Sequence, residues 1–341
     1  MIRQMAEKKV IAVIGATGNQ GSGLVRDILE NPDPGFSVRA ITSDASSDKA
    51  KALMSQGAEV VQANWNDKGS LVQAFKGAYG AFCVTNYYET FSPEGEMKQA
   101  KNMAEAAKEA NVQHVIWSTL EDTRQWVPVE DDRMPTLMGN YKVPHFDGKG
   151  ESDSFFKELG VPTTYLLTSF YFENLVTYKM GPQRTADGKL VFNLPLGQKK
   201  LASISTEDIG RSAHGIFKRG TEYIGSYVGV AGEHLTGEEM AAEMTKVVGE
   251  TVAYKAVPFD MYRNFGLPFG DLANMFQFYH DFEENVCDVR RVEGTRALNP
   301  KLKSFKEWLT ANKDRIIHNH AKETSADDVS FAVPLHFNLT H

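Results

Sequence analysis

The stretch that decides the fold is VIAVIGATGNQGSG, residues 10–23. Residues 10–14 form a continuous apolar run that is typical of a buried strand. Gly15, Gly18 and Gly21 then follow with the spacing G-x-x-G-x-x-G. In dinucleotide-binding turns one glycine permits a tight turn, one lets the backbone approach a pyrophosphate and one allows close helix packing. The stretch therefore predicts a strand, a phosphate-binding turn and a helix, with a purely structural glycine turn as the alternative.

Outward from this motif, short apolar runs alternate with amphipathic stretches up to about residue 170. Continuous rather than alternating apolar strands indicate a parallel sheet with helices on both faces. The predicted fold class is α/β, a Rossmann-type doubly wound parallel sheet with a smaller mixed C-terminal lobe. The pattern predicts strands at 38–42, 58–61, 81–85, 114–118, 163–167 and 189–194, and helices at 49–56, 71–75, 93–110, 149–159, 207–217 and 271–282.

These elements suggest three parts of the chain. The dinucleotide-binding domain is predicted at residues 6–170 and the smaller lobe at 171–318, with some lobe segments returning to the sheet. Residues 319–341 read as a polar tail. Two capping boxes, Thr236 with Glu239 and Ser304 with Glu307, mark helix starts in the lobe.

Composition narrows the functional classes. The formal net charge is -7, and no basic stripe is interleaved with aromatic residues, so direct nucleic-acid binding is not expected. The first residues lack the apolar core of a signal peptide, and no apolar run is long enough to span a membrane. Cys83 and Cys287 are too few for a disulfide framework, and the histidines lack metal-ligand spacing. We expect a cytoplasmic protein, with a nuclear location also possible, and no metal.

In dinucleotide-binding folds, the residue at the end of the second strand normally contacts the adenosine ribose. An acidic residue there favours NAD, whereas an arginine favours NADP. This chain has Thr42, Ser43 and Asp44 at that point. Ser43 can bind a hydroxyl or a phosphate, and Asp44 can bind a hydroxyl or cap the next turn, so the pattern leaves both cofactors open.

Two further strand ends carry polar residues that could face a cofactor. After the fourth strand come Thr85, Asn86 and Tyr87, which could contact a dinucleotide or form an ordinary polar strand end. Ser118 ends the fifth strand, where short-chain reductases place a serine that polarises the substrate carbonyl.

The stretch HFDGKGE, residues 145–151, has Lys149 four residues after His145. Active short-chain reductases have a tyrosine where His145 stands, and their lysine lowers the tyrosine pKa and binds the nicotinamide ribose. Lys149 could still bind ribose, or it could be a surface lysine paired with Asp153. Tyr141 is a poor substitute for the tyrosine because residues 122–144 read as a mobile flap.

Six motifs together resemble the NmrA-like family: GATGNQG, TNYYE, HFDGKGE, YFENL, DLANMFQFY and LNPKLKSFKEWL. The resemblance runs from about residue 8 to residue 317 and is greatest to the mammalian, NADPH-sensing branch. It implies an atypical short-chain dehydrogenase fold that lacks the catalytic tyrosine. It also implies a cofactor site formed by Gly15, Ala16, Thr17, Gly18, Asn19, Gln20, Asn64, Trp65, Thr85, Asn86, Tyr87, Lys98, Lys149, Tyr171, Phe172, Glu173 and Asn174. The chain departs from the mammalian branch at Ser43, where that branch has an arginine.

The function predicted is that of an NAD(P)(H)-binding redox sensor without efficient catalysis and without catalytic residues. The alternative is an NAD(P)H-dependent reductase, of the quinone or isoflavone-reductase type, in which Lys149 handles the proton. The expected cofactor is NADP, with NAD also possible. The expected partners are the dinucleotide and either a regulatory protein or a second copy of the chain.

Overall fold

The structure is a computed structural model that describes residues 8–31, 35–264 and 269–316. The predicted tail, 319–341, lies outside these residues. The strands are β1 (Lys9–Ile14), β2 (Phe36–Thr42), β3 (Glu59–Gln62), β4 (Gly80–Cys83), β5 (His114–Thr119), β6 (Thr163–Leu167), β7 (Phe170–Tyr171), β8 (Gln183–Arg184), β9 (Leu190–Leu194), β10 (Lys200–Ile204), β11 (Tyr227–Gly229), β12 (Glu233–Thr236) and β13 (Val252–Ala256).

Helices surround these strands, and one 3₁₀ turn lies at Thr123–Gln125. None of the helices in the described ranges combines the length and apolar character needed to cross a bilayer. The helices are α1 (Asn19–Glu30), α2 (Asp48–Ser55), α3 (Lys68–Phe75), α4 (Tyr87–Thr90), α5 (Pro93–Glu109), α6 (Pro144–Glu158), α7 (Asn174–Thr177), α8 (Thr206–Lys218), α9 (Gly237–Val248), α10 (Phe259–Arg263), α11 (Phe269–Asp281), α12 (Glu283–Val289), α13 (Val292–Leu298), α14 (Phe305–Ala311) and α15 (Lys313–Ile316).

The central sheet has seven parallel strands in the order β11-β6-β5-β4-β1-β2-β3, which confirms the predicted fold class. The chain runs outward in one direction from β1 to β2 and β3, and in the other direction from β4 onward. Parallel sheets bind ligands beyond the carboxyl ends of their strands at such a switch point. The crevice between the ends of β1 and β4 is therefore the expected binding place.

Two apolar clusters fill the two faces of this sheet, and a third forms the smaller lobe. One face buries Leu24 of α1 and Ile209 of α8, and the other buries Met103 of α5 and Phe156 of α6. The lobe contains two three-stranded sheets, β12-β10-β7 and β13-β9-β8, packed with helices that include α9, α11 and α14. Both predicted capping boxes are present, at the starts of α9 and α14.

Helix α6 begins at Pro144, so the predicted start at residue 149 is wrong. Proline suits the first turn of a helix because its missing N–H has no intrahelical partner there. Gly148 and Gly150 lower helix propensity, but each faces a neighbouring segment. A Cβ on Gly150 would lie 2.4 Å from the backbone N of Asp122, and one on Gly148 would lie 3.3 Å from Cα of Pro93.

The segment 126–142 is tied to α11, which does not fit the predicted flap. Asn274 donates to the carbonyls of Pro135 (2.8 Å) and Lys142 (2.6 Å), and Gln277 donates to that of Arg133 (2.7 Å). Buried polar groups of a loop need such partners. The loop is therefore a fixed part of the wall between the two lobes.

Gly150→Ala tests the close contact between α6 and the backbone of Asp122. The added Cβ has no room, so we expect the free energy of unfolding to fall by about 1–3 kcal/mol. Gly294→Ala on α13 is the matched control, because nothing lies within 4 Å of its Cβ position. The control should be neutral or stabilising by up to about 1 kcal/mol. Equal effects of the two substitutions in urea unfolding would contradict this packing.

Candidate functional site

The glycine turn between β1 and α1 has the geometry of an anion site. Gly15 has φ +64°, a conformation that favours glycine, and a Cβ on Gly21 would lie 2.4 Å from the carbonyl oxygen of Gly15. Within the described residues, α1 has no side-chain cap and no acidic residue in its first turn. Its first N–H groups and the positive end of its dipole are therefore free to bind a phosphate.

A hydrogen-bonded chain links the start of α1 to β5 and to the lobe. Gln20 donates through Nε2 to the hydroxyl of Tyr171 (2.7 Å), and Ser118 donates to Oε1 of Gln20 (2.8 Å). Ser118 is buried. Because its hydroxyl proton is already donated to Gln20, Ser118 does not present a donor to a substrate carbonyl in this arrangement.

Lys149 lies in a buried ion pair at the carboxyl end of β4. Its Nζ contacts Oε1 of Glu96 (2.7 Å), Oγ1 of Thr85 (2.7 Å) and the carbonyl of Thr85 (3.1 Å). The side chains of Lys149 and Glu96 are 10% and 0% exposed. An ammonium group has three N–H donors, and these contacts use all three.

The predicted alternative, a surface Lys149 paired with Asp153, is wrong. Asp153 instead accepts hydrogen bonds from Trp117 Nε1 (2.9 Å), the hydroxyl of Thr119 (2.7 Å) and that of Tyr227 (2.6 Å). Burial raises the pKa of Asp153 to about 6, although these donors favour the charged form.

His145 is held by a carboxylate from the other lobe. Its Nδ1 lies 2.6 Å from Oδ2 of Asp271, which is the third residue of α11 and 1% exposed. With a carboxylate as partner, Nδ1 carries the proton and donates. Nε2 has no hydrogen-bond partner in the described ranges. The rings of Tyr87 and Tyr88 each lie 5.9 Å from the imidazole, centroid to centroid.

Tyr141 does not take the place of the missing tyrosine. Its hydroxyl donates to Oε1 of Glu94 (2.9 Å), and burial together with that carboxylate raises its pKa to about 12. A phenol of this kind is neutral and already bonded at neutral pH.

Comparison with known proteins identifies the family. The model of the NmrA-like family matches residues 7–309. The chain belongs to the NmrA-like family. A relative in Cladobotryum sp, the NmrA-like family domain-containing oxidoreductase FrzB, is 30% identical over 79% of this chain and 83% of its own length.

Solved structures share the fold. NmrA, a negative transcriptional regulator, has been solved with NAD and with NADP. It has a TM-score of 0.71 and 23% identity, with 89% of this chain and 94% of that chain covered. The Citrobacter sp. triphenylmethane reductase complexed with NADP(H) has a TM-score of 0.67 and 20% identity, and the match covers 89% of this chain and 99% of the reductase. Placement in the mammalian branch of the NmrA-like family stays a prediction.

The residues expected near the adenosine lie on the exposed rim of the crevice. Ser43 is exposed, as is Asn64, while Trp65 is half-buried. Asp44 caps its own turn, because its carboxylate accepts from the backbone N (2.8 Å) and the hydroxyl (2.6 Å) of Ser46. These bonds lower the pKa of Asp44. The sequence left two roles open for Asp44, binding a ribose hydroxyl or capping the next turn, and the structure shows the cap.

The remaining expected contacts divide between the rim and the lobe interior. Asn86 is exposed and caps α4 through Tyr88 N, and Lys98 is exposed on α5. In the segment 171–174 of the NmrA-like motif, Tyr171 alone bonds to α1. The structure places Phe172 in the lobe core against Phe305, Glu173 on Thr206 N and Trp308 Nε1, and Asn174 at the start of α7.

Two residues of the site were missed by the sequence reasoning, Glu96 and Asp271. Glu96 occupies the apolar face of α5, four residues before Ala100. A carboxylate at that helical spacing indicates a buried partner, and this signal was present. Asp271 begins the motif DLANMFQFY, but it reads as an ordinary acidic residue in the first turn of a helix, so nothing local indicated its contact with His145.

Lys149→Met tests the buried ion pair. Without the ammonium, Glu96 would be a buried and uncompensated charge, so we expect the free energy of unfolding at pH 7 to fall by about 3–5 kcal/mol. Adding Glu96→Gln should restore much of this loss, because an amide needs no counter-ion. A double variant as unstable as Lys149→Met in urea unfolding would contradict the pairing.

Proposed function

We propose that this chain binds NAD(P)(H) along the carboxyl edge of the seven-stranded sheet and acts as a redox sensor. The observation that carries the proposal is the glycine turn with the uncapped start of α1 at the switch point between β1 and β4. The relatives support it, because NmrA has been solved with both NAD and NADP.

In this proposal the dinucleotide spans the site from the rim to the lobe. Its pyrophosphate lies on residues 15–20 and its adenosine faces Ser43, Asn64 and Trp65. Its nicotinamide end lies near the segment 85–87 and Tyr171. Lys149 holds the nicotinamide ribose by exchanging its longest contact, the 3.1 Å bond to the carbonyl of Thr85, for a ribose hydroxyl. Lys98 adds a positive charge at the opening of the crevice.

The residues at the positions of the short-chain reductase serine and lysine already donate to other groups of the protein, which favours sensing over catalysis. Ser118 donates to Gln20, and Lys149 has all its donors engaged. The alternative in which Lys149 handles a proton would need its ammonium to leave Glu96. Gln20 with Tyr171 and His145 with Asp271 join the pocket to the lobe, so occupancy of the pocket would bias how the two lobes pack against each other.

The direct experiment titrates NADPH, NADP, NADH and NAD into the purified chain and follows affinity together with sedimentation. A sensor should bind the reduced and oxidised dinucleotides with different affinities. Binding should also change the self-association of the chain or its binding to a regulatory partner. Absence of binding for all four dinucleotides would overturn the proposal.

Gly18→Val tests the pyrophosphate position. Even a Cβ at residue 18 lies 3.2 Å from the carbonyl of Gly15, and the valine methyls would fill the space that a pyrophosphate needs. We expect dinucleotide affinity to fall by about 100-fold or more, or roughly 3 kcal/mol. Gly294→Val is the control, on an exposed helix surface. Unchanged binding isotherms in Gly18→Val would disprove the placement.

Ser43→Arg tests discrimination at the adenosine ribose. The wild type lacks a cation at this position, so we expect at most a small preference for NADP over NAD. A charge-assisted contact with the 2′-phosphate should raise NADP affinity by about 10- to 100-fold. Ser55→Arg, at the far end of α2, adds the same charge and should change little. A strong NADP preference in the wild type would point first to Lys49 or Lys51.

A further inference from the structure

The pair of His145 and Asp271 is the feature of the pocket that sensing leaves unexplained. Asp271 belongs to α11 and is buried, and its second oxygen, Oδ1, has no partner in the part of the chain described. Burying a carboxylate costs free energy unless a partner stabilises its charge. Here the partner is an imidazole whose other nitrogen, Nε2, has no hydrogen bond to any residue that the structure describes.

We infer that His145, oriented by Asp271, is a proton donor that gives this chain a reductase activity toward conjugated carbonyl compounds. The inference rests on the proposed dinucleotide site. A carboxylate that accepts from Nδ1 fixes the tautomer of an imidazole and stabilises its protonated form, leaving Nε2 to exchange a proton with a substrate. His145 would be the catalytic residue and Asp271 the positioning residue.

The geometry favours His145 over the neighbouring groups. Lys149 donates to three acceptors, Ser118 to Gln20 and Tyr141 to Glu94. His145 lies one turn before Lys149 on α6, where short-chain reductases have their proton-donating tyrosine. The proton donor in this chain is thus an imidazole with a free second nitrogen.

Aromatic rings next to His145 suggest the class of substrate. Tyr87 and Tyr88 lie against the imidazole, and Tyr178 extends the cluster at 6.4 Å from Tyr88, centroid to centroid. Flat conjugated molecules pack well on such rings. An aromatic aldehyde or an ortho-quinone fits this wall better than a sugar or an acidic metabolite.

The reaction balances with the dinucleotide as reductant. A bound reduced dinucleotide would supply the hydride for the new C–H bond at the carbonyl carbon, while the π electrons move to oxygen. That oxygen would take the proton from Nε2 of His145. An aldehyde would give an alcohol, an ortho-quinone would give a hydroxy ketone that tautomerises to the catechol, and the dinucleotide would leave oxidised. Solvent would return a proton to Nε2 while Nδ1 keeps its bond to Asp271.

The test uses the full chain with NADPH and NADH, and with phenanthrenequinone and cinnamaldehyde as probes. Wild type should oxidise the reduced dinucleotide with at least one probe. His145→Gln should lower kcat by about 100-fold or more, while dinucleotide affinity stays within about threefold. Asp271→Asn should lower kcat less, because it removes the carboxylate that orients the imidazole. His280→Gln is the control, because His280 forms a partly exposed pair with Asp281 on the same helix.

Readouts that do not depend on turnover accompany these assays. Nitrogen NMR of histidine-labelled chain should show His145 protonated at Nδ1, and Asp271→Asn should move that signal. Circular dichroism and unfolding midpoints check that the variants fold. Dinucleotide binding without turnover of either probe would overturn this inference alone, as would turnover that survives His145→Gln. Absence of dinucleotide binding would overturn the proposed function, and this inference with it.

Discussion

The close packing of α1 is the constraint on which the rest of the structure depends. Three glycines at the contacts of α1 with β1 and α8 have no space for a Cβ. A Cβ would lie 2.4 Å from the carbonyl oxygen of Gly15 at Gly21, 2.8 Å from that of Glu207 at Gly23, and 2.1 Å from the N of Leu24 at Gly210. Larger residues would push α1 away from β1 and from α8. Because α1 lies this close, its first N–H groups stand at the end of β1, where an anion can reach them.

A second layer of organisation comes from buried polar pairs. Glu96 with Lys149 ties α5 to α6, His145 with Asp271 ties α6 to α11, and Gln20 with Tyr171 ties α1 to β7. Buried charges cost free energy unless they are paired with good geometry, so they hold their elements in one arrangement. All three pairs surround the crevice. The same contacts that join the lobes therefore line the proposed binding site.

Much of the fold was predictable because its signals are local. Strand β6 was predicted with its observed bounds, 163–167, since Pro162 precedes a run of β-branched, aromatic and aliphatic residues that favours a strand. The capping boxes at Thr236 and Ser304 mark two helix starts. Helix α6 was predicted too short because Gly148 and Gly150 lower helix propensity, whereas their tertiary contacts require glycine. Asp271 lies 126 residues from its partner His145 in sequence, and no local pattern reports such a pairing. Lys149 was predicted to be a site residue, and that role stays a prediction, but its burial against Glu96 depends on how α5 and α6 pack.

The most direct test of the proposed binding site is a crystal structure of the chain grown with NADPH. We expect a pyrophosphate within hydrogen-bond distance of the backbone N–H groups at the start of α1, and a ribose hydroxyl on Nζ of Lys149 in place of the Thr85 carbonyl. We also expect a nicotinamide ring on the side of α6 that carries His145. The structure also has a cavity of about 630 Å³ beside α6, lined by Trp126, Lys157 and Tyr227 among others and by none of the proposed dinucleotide contacts. NADPH bound in that cavity, with the glycine turn vacant, would contradict the central claim.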